Sequence, residues 1–366
     1  MLLRRYQVES KVDIGTSGTK TYNLDFSEPI ESLTLRLDGT NSTTSNKVAP
    51  QERLISKIEI VDGGQVLWDC RGDVALSVFA QLAGALPHGY RTEAANDSPY
   101  QTIVIPFGRF PYDELYAFNP IAHKNPQLKV TFDEAEINAA GATGLVSDSL
   151  TLSLLVTLQS GGPAPIGFLA MREIEAFTSV ASGDTKVQLP SDKNIRLMAV
   201  RAYEAGIDLR STISNYRLSI DGGKSEPFDL NTDQMINLMT EVIKPIEVSN
   251  LVVFDTGDTK ETFVGLDLVG GIVSVSSGCM ASVDTFWPAR ATLYHVTHAG
   301  AAVSPGNAFM RVLGWCMHNV ILYPFGSLDK PEQWLNPDGI RNLDLYLTNG
   351  NAGGAVSVAL QSVYRY

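Results

Sequence analysis

The chain is poor in charged residues, cysteines and long basic runs, and each shortage argues against a class of protein. Charged residues make up 19% of the 366 residues, below the usual quarter, as in proteins whose surface is largely covered by partners. The net charge is −12, and the longest basic cluster is the pair Arg4 and Arg5. The sequence therefore lacks the basic stripe of a nucleic-acid-binding platform. Three cysteines without a CxxC spacing argue against a disulfide framework and a zinc ribbon.

Long apolar runs are also missing. The longest, such as residues 152–158, are interrupted by Ser and Thr and have the length of a strand, so we expect no helix that spans a bilayer. The N-terminal sequence MLLRRYQVES has no long apolar core, so we expect no signal peptide. We expect a protein that is made in a reducing cytoplasm and stays soluble or assembles there.

What the chain does contain is a segment that occurs twice. Residues 106–120 read PFGRFPYDELYAFNP and are followed by QLKVTF, and residues 324–337 read PFGSLDKPEQWLNP and are followed by NLDLYLT. Each copy has a Pro-Phe-Gly turn, an Asn-Pro turn about a dozen residues later and then an alternating strand. Such internal similarity indicates two copies of one domain, and points to architecture rather than to a single catalytic site.

Other matches keep the same order in the two halves. They are SGTK at 17–20 with SGDTK at 182–186, IESLTLR at 30–36 with IRLMAVR at 195–201, IEIVDGG at 58–64 with LSIDGG at 218–223, and LQS at 158–160 with LQS at 360–362. The offset between matched residues is about 160–166 up to the DGG turn and about 218 at PFG. The second copy therefore carries an insertion of about fifty to sixty residues within about 242–310.

Alternating segments separated by turn residues predict an all-β fold of short strands. The predicted strands are 22–26, 32–37, 57–61, 102–105, 127–132 and 150–158. Two helices, at 74–86 and 232–243, each follow the DGG strand of their half, the second with Asn231 or Thr232 as N-cap. Long connections favour two tandem eight-stranded jelly-roll β-barrels over immunoglobulin-type domains. We predict an N-terminal jelly roll at 1–160, a Gly/Pro linker at 161–167 and a C-terminal jelly roll at 168–366.

Two jelly rolls in tandem, each with a helix after its middle strands and PFG…NP turns before a late strand, resemble the double jelly-roll major capsid proteins of tailless icosahedral viruses. The sequence is most similar in organisation to those of membrane-containing bacteriophages. The resemblance implies a homotrimer of six barrels that tiles a capsid shell as a pseudo-hexagon, inside a virion assembled in the host cytoplasm. It also implies minor capsid or vertex proteins as partners and possible contact with an internal membrane. Arg4 and Arg5 would contact lipid head groups at the inner face, and the insertion would form a tower or an intersubunit clasp.

Several motifs offer catalytic or metal chemistry, but each is incomplete. LVVFDTG at 251–257 resembles the catalytic loop of aspartic proteases, which needs two aspartates, and no second copy of that loop occurs. We therefore interpret it as a polar turn after an apolar strand. The adjacent acids Asp113 and Glu114 are not repeated in the second copy, so we expect a solvated loop rather than an acid–base pair.

Candidate metal ligands are equally sparse. His295 and His298 are three apart in an expected strand and would point to opposite faces. Cys316 and His318 would share a face, but no further ligand is near in sequence. The series Asp229, Asn231 and Asp233 has the spacing that opens a calcium loop, but the turn Gly and the twelfth-position Glu are missing, and helix capping explains it better. We expect no cofactor, no metal, no catalytic residue and no sequence-specific nucleic-acid binding.

Two classes of function remain open. The first is a self-assembling structural shell protein, and the second is a tandem β-sandwich that binds carbohydrate, such as a spike or adhesin, because jelly rolls serve both. The carbohydrate-binding alternative predicts a concave face with exposed Trp and Tyr. We expect the tryptophans instead to fill barrel ends and interfaces, at Trp68, Trp287, Trp315 and Trp334.

Overall fold

The described residues of the first half of the chain form eight strands. The computed structural model describes residues 1–43, 51–92, 94–138, 144–204, 207–254, 259–263, 266–275, 281–284, 293–298 and 306–366, and for 250–310 only the backbone apart from Leu266. The elements of the first half are β1 (Leu2–Asp13), β2 (Ser17–Asn23), β3 (Ile30–Asp38), β4 (Ile55–Asp62), β5 (Gln65–Cys70), α1 (Gly72–Ala83), β6 (Tyr100–Pro106), β7 (Pro126–Asp133), α2 (Ala135–Asn138) and β8 (Thr151–Ser160).

The second half has the same series of eight strands and, among its described residues, six additional strands. Its elements are β9 (Gly167–Thr178), β10 (Gly183–Leu189), β11 (Ile195–Tyr203), α3 (Leu209–Thr212), β12 (Ile213–Ile220), β13 (Ser225–Asn231), α4 (Thr232–Val242), β14 (Ile246–Phe254), β15 (Thr259–Phe263), β16 (Asp267–Val275), β17 (Ala281–Asp284), β18 (Leu293–His298), β19 (Gly306–Trp315), β20 (Val320–Pro324), β21 (Leu343–Asn349) and β22 (Ala355–Arg365). Single 3₁₀ turns occur at Gln51–Leu54, Pro120–Ala122, Met317–Asn319 and Pro331–Gln333.

Sheet order is the same in both halves and is that of a jelly roll. The first half pairs its strands in the orders β1-β8-β3-β6 and β2-β7-β4-β5, and the second in the orders β9-β22-β11-β20 and β10-β21-β12-β13. Every ladder between these strands is antiparallel. The predicted all-β double jelly roll is therefore confirmed. The prediction of barrels needs correction, because among the described strands each jelly roll consists of two open four-stranded sheets.

Hydrophobic alternation explains why these strands form. Along β3, Leu33, Leu35 and Leu37 are buried while the residues between them are partly exposed. Strand β7 alternates in the same way through Leu128 and Val130. Burial of each such side chain contributes about 1.5–3 kcal/mol to the free energy of folding, which favours the extended conformation with this face inward.

The predicted helices are present and differ in their environment. Helix α1 begins two residues before the predicted start and ends at Gly84, which adopts a left-handed conformation with φ 68°. Helix α4 is capped as predicted by Asn231, whose side chain accepts from the backbone of Gln234 while the Gln234 side chain accepts from the backbone of Asn231. No helix in the described residues is long and apolar enough to cross a bilayer.

The predicted insertion in the second copy consists of the six additional strands. They form two three-stranded sheets in the orders β14-β19-β16 and β15-β18-β17. The segment lies between α4 and β20, which is the place that the first half fills with a short connection from α1 to β6. It therefore continues to Trp315, slightly beyond the predicted limit near 310.

The doubled PFG…NP segment occupies equivalent positions in the two halves. The backbone N–H of Phe107 donates to the carbonyl oxygen of Glu31, near the start of β3. The backbone N–H of Phe325 donates to the carbonyl oxygen of Arg196, near the start of β11. Likewise, Ile30 forms a bridge with Phe118, and Ile195 forms one with Leu335. The DGG turns also correspond. The Asp62 carboxylate accepts backbone hydrogen bonds from residues 124 and 125, just before β7, and the Asp221 carboxylate accepts them from residues 341 and 342, just before β21.

One sequence match is out of register. Ile30 lies opposite Leu158, but its counterpart Ile195 lies opposite Ser362. The two LQS sequences therefore share a strand and differ by two residues in register. A shift of two preserves which face each side chain is on, so alternation alone could not reveal it.

Candidate functional site

The two halves of the chain meet in a buried polar interface, which is centred on helix α1. Asp73 Oδ2 lies 2.9 Å from Arg201 Nε of β11, and both side chains are almost fully buried. Arg71 Nε lies 3.5 Å from Asp73 Oδ1. Burial alone would raise the pKa of Asp73, but Arg201 and Arg71 outweigh it and lower that pKa. The carboxylate is thus kept ionised as part of a link between the halves.

A second ionic cluster joins the 3₁₀ turn before β4 to the turn before β20. Glu52 Oε1 lies 2.7 Å from His318 Nε2, and both residues are about 1% exposed. Arg91 also binds the Glu52 carboxylate. Burial would raise the pKa of Glu52, but the charge of Arg91 and the hydrogen bond from His318 lower it to about 2. Glu52 therefore holds the second half against the first over a wide range of pH.

Helix α1 also stabilises an unusual turn of the second half. Cys316, His318 and Asn319 all have positive φ, between 53° and 59°, a conformation that non-glycine residues adopt at a cost. Ser77 Oγ donates to the Met317 carbonyl oxygen at 2.8 Å, and Gln81 Nε2 donates to that of Val320 at 3.2 Å. These bonds give buried carbonyl groups of the turn and of the start of β20 hydrogen-bond donors from α1.

This turn corrects the prediction for Cys316 and His318. They do not share the face of a strand, because a left-handed turn places them outside any strand. His318 is hydrogen-bonded to a carboxylate of the other half, and Cys316 is buried. Within the described part of the chain, no group of three His, Cys, Asp or Glu side chains could hold a metal ion.

Strand β9 continues the interface along β5. Arg172 Nε donates to Asp69 Oδ1 at 2.7 Å, and its Nη1 donates to the Val66 carbonyl oxygen at 2.7 Å. Burial raises the pKa of the neighbouring Glu173, with a further contribution from Asp69. The contact between β5 and β9 thus includes a charged hydrogen-bonded pair, like that around α1.

The two PFG corners contact each other at one end of this interface. Arg109 binds both carboxylate oxygens of Asp113, through Nε at 2.7 Å and Nη2 at 2.8 Å. Its Nη1 donates to the Asp329 carbonyl oxygen of the second corner at 2.9 Å. The rings of Tyr116 and Trp334 lie 6.3 Å apart across the same contact.

The prediction that Asp113 and Glu114 form a solvated loop is therefore wrong for one of the two. Asp113 is 1% exposed, whereas Glu114 is exposed. Burial would raise the pKa of Asp113, but hydrogen bonds from Arg109 and from the backbone lower it. Asp113 is a structural anion of the corner.

Arg4 and Arg5 lie on β1, an outer strand of its sheet, with exposed side chains. Arg4 Nη1 forms an ion pair with Glu28 at 2.9 Å. The charge of Arg5 acts on the nearby Glu31. Around the chain ends and the segment 110–121, several large apolar side chains are also exposed, namely Leu2, Tyr6, Phe110, Tyr112, Leu115, Ile121, Ile166 and Tyr366. This end of the molecule presents a mixed apolar and cationic surface.

The side chains of the expected calcium-loop series each have a partner of their own. Asn231 caps α4, Asp229 accepts from Asn215, and Asp233 pairs with Arg210. The DTG sequence at 255–257 and the residues Trp287 and Cys279 lie outside the described residues. His295 and His298 lie in β18, as expected for a strand.

The described tryptophans are packed into the protein. Trp68 and Trp334 are each 4% exposed, and Trp315 is partly buried and donates from Nε1 to the Ile243 carbonyl oxygen at 3.0 Å. Their positions in the core and at the corner contact agree with the predicted packing role.

Comparison with known proteins shows a likeness of fold. No family model matches the sequence, and no curated protein sequence matches it. Among solved structures, the major capsid protein P2 of bacteriophage PM2 has a TM-score of 0.56 and 10% identity, and the match covers 99% of this chain and 98% of that one. The STIV MCP has a TM-score of 0.57 and 10% identity, with 100% and 97% covered. PBCV-1 VP54 has a TM-score of 0.57 and 11% identity, with 99% and 93% covered.

Proposed function

We propose a function for this chain that starts from the double jelly roll it shares with viral major capsid proteins. We propose that the chain is itself a major capsid protein, a structural component of an icosahedral virion. The observation that carries this proposal is the coverage of both chains almost from end to end. A chain that reproduces both jelly rolls, their order and their length has the parts that a shell subunit needs.

We further propose that the chain assembles as a homotrimer whose six jelly rolls imitate a hexagon. The two units would be residues 1–160 and 168–366, joined by the linker 161–167. The buried ionic contacts between the halves support this proposal, because they fix the relative orientation of the two jelly rolls. A subunit that tiles a shell needs such rigidity, since each interface must form at a defined angle.

Contacts beyond the trimer are part of the same proposal. Minor capsid proteins would occupy the vertices, and an internal membrane is a candidate partner for the inner face. Arg4 and Arg5 are proposed to contact lipid head groups there, which their exposure and the apolar residues near the chain ends support. We propose a structural and not a catalytic role, without sequence-specific binding of nucleic acid, in a virion assembled in the host cytoplasm.

The carbohydrate-binding alternative has less support. It requires aromatic side chains exposed on a concave face, and the described tryptophans do not provide them, because Trp68 and Trp334 are buried and Trp315 is partly buried. Their indole groups fill the core or satisfy backbone carbonyls instead.

Multi-angle light scattering and electron microscopy of the purified chain test the proposal. We expect trimers in solution and hexagonally packed lattices or shells at high concentration. A glycan array provides the matched test of the alternative. A stable monomer that binds glycans and makes neither trimers nor lattices would contradict the capsid proposal.

A further inference from the structure

The interface between the halves joins two unlike surfaces. The first half contributes α1 and β5, and the second half contributes β9, β11 and the turn before β20. Since the halves share one fold, each also carries the surface that the other one uses. The second half thus carries a corresponding α4–β13 surface, and the first half carries a corresponding β1–β3 surface.

Strand register identifies the counterpart of Asp73. Asp69 lies opposite Glu59 in the β4–β5 pair, and Asp229 lies opposite Arg217 in the β12–β13 pair. Strands β4 and β12 have the same burial pattern from Ile55 and Ile213 onward, which aligns Glu59 with Arg217. Counting on from Asp69 and Asp229 without a gap, Asp73 matches Asp233, and each is the second residue of its helix.

Strand register also identifies the counterpart of Arg201. Ile30 and Ile195 form equivalent bridges at the starts of β3 and β11, so Arg36 matches Arg201. The strand partners agree with this alignment, because Arg36 lies opposite Ser153 and Arg201 lies opposite Ser357. Both residues of the buried Asp73–Arg201 pair therefore have a counterpart elsewhere in the chain, Asp233 for Asp73 and Arg36 for Arg201.

The buried pair and its counterparts differ in the solvent exposure of their side chains. The side chains of Asp73 and Arg201 are 0% and 3% exposed, whereas those of Asp233 and Arg36 are 59% and 36% exposed. The two helices show the same difference, because the residues on the buried face of α1 correspond to exposed residues of α4. Asp73, Val74, Ser77 and Gln81 correspond in this way to Asp233, Gln234, Asn237 and Glu241.

The outer strands repeat this contrast. The first residues of β9 are buried, while those of β1 are mostly exposed. Through their partners on β22 and β8, Arg172 corresponds to Tyr6, and the Asp69 carboxylate that Arg172 binds corresponds to that of Asp229. A Tyr6 hydroxyl can donate to a carboxylate, so this second contact is also chemically possible between two copies.

We propose that Asp233 of one copy binds Arg36 of the next, in a head-to-tail interface that repeats the contact between the halves. The partner is a second copy of this chain, because each copy carries both of the matching surfaces. The inference rests on the proposed trimer and specifies its contacts. A contact between unlike surfaces closes into a ring when its rotation allows it, and three chains with two halves each close a ring of six.

The present neighbours of the two residues fit this contact. Arg36 Nη2 lies 2.6 Å from Asp38 Oδ1, and Asp233 pairs with Arg210. When two copies meet, these pairs become a row of alternating charge, from Arg210 through Asp233 and Arg36 to Asp38. Such alternation favours this register over one that brings like charges together.

Charge reversal tests the pairing. The variants are Arg36→Asp, Asp233→Arg and the combination of both, with Lys224→Asp on an exposed turn as the control for a change of charge. We expect each single variant to raise the concentration for half-trimerisation at least about tenfold, and the double variant to recover most of the loss. The control should trimerise like the parent protein.

Cross-linking tests the geometry independently of folding energetics. Arg36→Cys protein and Asp233→Cys protein are treated with a short bis-maleimide, separately and mixed after dissociation and reassembly. We expect cross-linked dimers in the mixture well above those in either protein alone or in the parent.

The outcomes distinguish the residue pairing from the proposed function. If the parent forms trimers but single charge reversals leave them intact, or the double variant stays as impaired as the single ones, the pairing is wrong and the capsid proposal stands. If each cysteine variant cross-links to itself as well as to the other, the head-to-tail arrangement is wrong. If the parent forms neither trimers nor lattices, the proposed function itself fails.

Discussion

Arg201 Nε and Asp73 Oδ2 lie 2.9 Å apart in the contact between the halves, with almost no exposure to solvent. The two atoms are close but not aligned for a hydrogen bond, so the contact is ionic. A buried ion pair adds little net stability, since removing both charges from water costs about as much as their attraction returns. Its effect is on orientation, because any other arrangement of the halves would bury an unpaired charge.

The first prediction removes one charge of this pair. Asp73→Asn leaves Arg201 buried without an anion beside it, and we expect the free energy of unfolding to fall by about 3–5 kcal/mol. Asp233→Asn is the matched control, because it changes the equivalent but exposed residue and should cost less than about 0.5 kcal/mol in the monomer. Urea denaturation followed by tryptophan fluorescence measures both. Equal losses in the two variants would show that burial of the pair is unimportant.

The second prediction concerns acid. The pKa of Glu52 is about 2 in the folded protein against 4.5 for an ordinary Glu, so folding favours its ionised form. Its contribution is complete above pH 4.5 and is lost as the pH falls from 4.5 towards 2. This difference of pKa corresponds to about 3 kcal/mol at neutral pH.

Glu52→Gln should therefore destabilise the protein by about 3 kcal/mol at pH 7, and the difference should shrink to roughly half or less at pH 3. Denaturant titrations of parent and variant at several pH values provide the measurement. Asp73 and Asp113 also have lowered pKa values but are present in both proteins, so they cancel in the comparison. A difference that stays constant from pH 7 to pH 3 would contradict the role of the Glu52 charge.

The third prediction concerns the thiols. Cys70 and Cys316 are buried, and burial, together with the charge of Glu173, raises the pKa of Cys70. Because the thiolate is the reactive form, neither residue should react with a maleimide in the native protein, and both should react in denaturant. Peptide mass spectrometry reads each cysteine separately. Rapid native labelling of Cys70 would contradict the buried position of β5.

Local sequence predicted the parts of this structure that local physics decides. Turn residues and alternation identified the strands around Leu33 and Leu128, and the N-cap at Asn231 followed from its preference for that position. The order of the repeats then predicted the double jelly roll. Strands β1 and β5 were not among the predicted ones, and the 22–26 segment overlaps β2 only at its end.

The contacts between the halves could not be predicted in the same way. Ser77 meets the carbonyl of Met317 across 240 residues of sequence, and nothing near either residue indicates the other. Asp113 looked like a solvated acid because its burial depends on Arg109 and the second corner. The match between the two LQS segments was out of register for a related reason, since pairing along a sheet is decided by packing and not by the identity of three residues.

The last prediction returns to the doubled corner. Gly326, in the second PFG turn, has φ 106°, a conformation that L residues with a side chain rarely adopt. A Cβ there would also overlap the backbone carbonyl oxygen of Gln333. That part of the corner is held by the hydrogen bond from Trp334 Nε1 to the Ser327 carbonyl oxygen at 2.8 Å, so it cannot shift without breaking this bond.

Gly339 is the matched control for backbone strain, because it has φ 84° but no atom within 4 Å of the position that a Cβ would occupy. Gly339→Ala should cost about 1–2 kcal/mol through conformation alone. Gly326→Ala adds the steric overlap and should cost clearly more, together with a change in the fluorescence of the native protein as Trp334 is displaced. If the two variants lose the same stability and keep the same spectrum, the corner is not closed tightly by Gly326. The close turn at Gly326 would then not be needed to position Trp334 against Tyr116 of the first half.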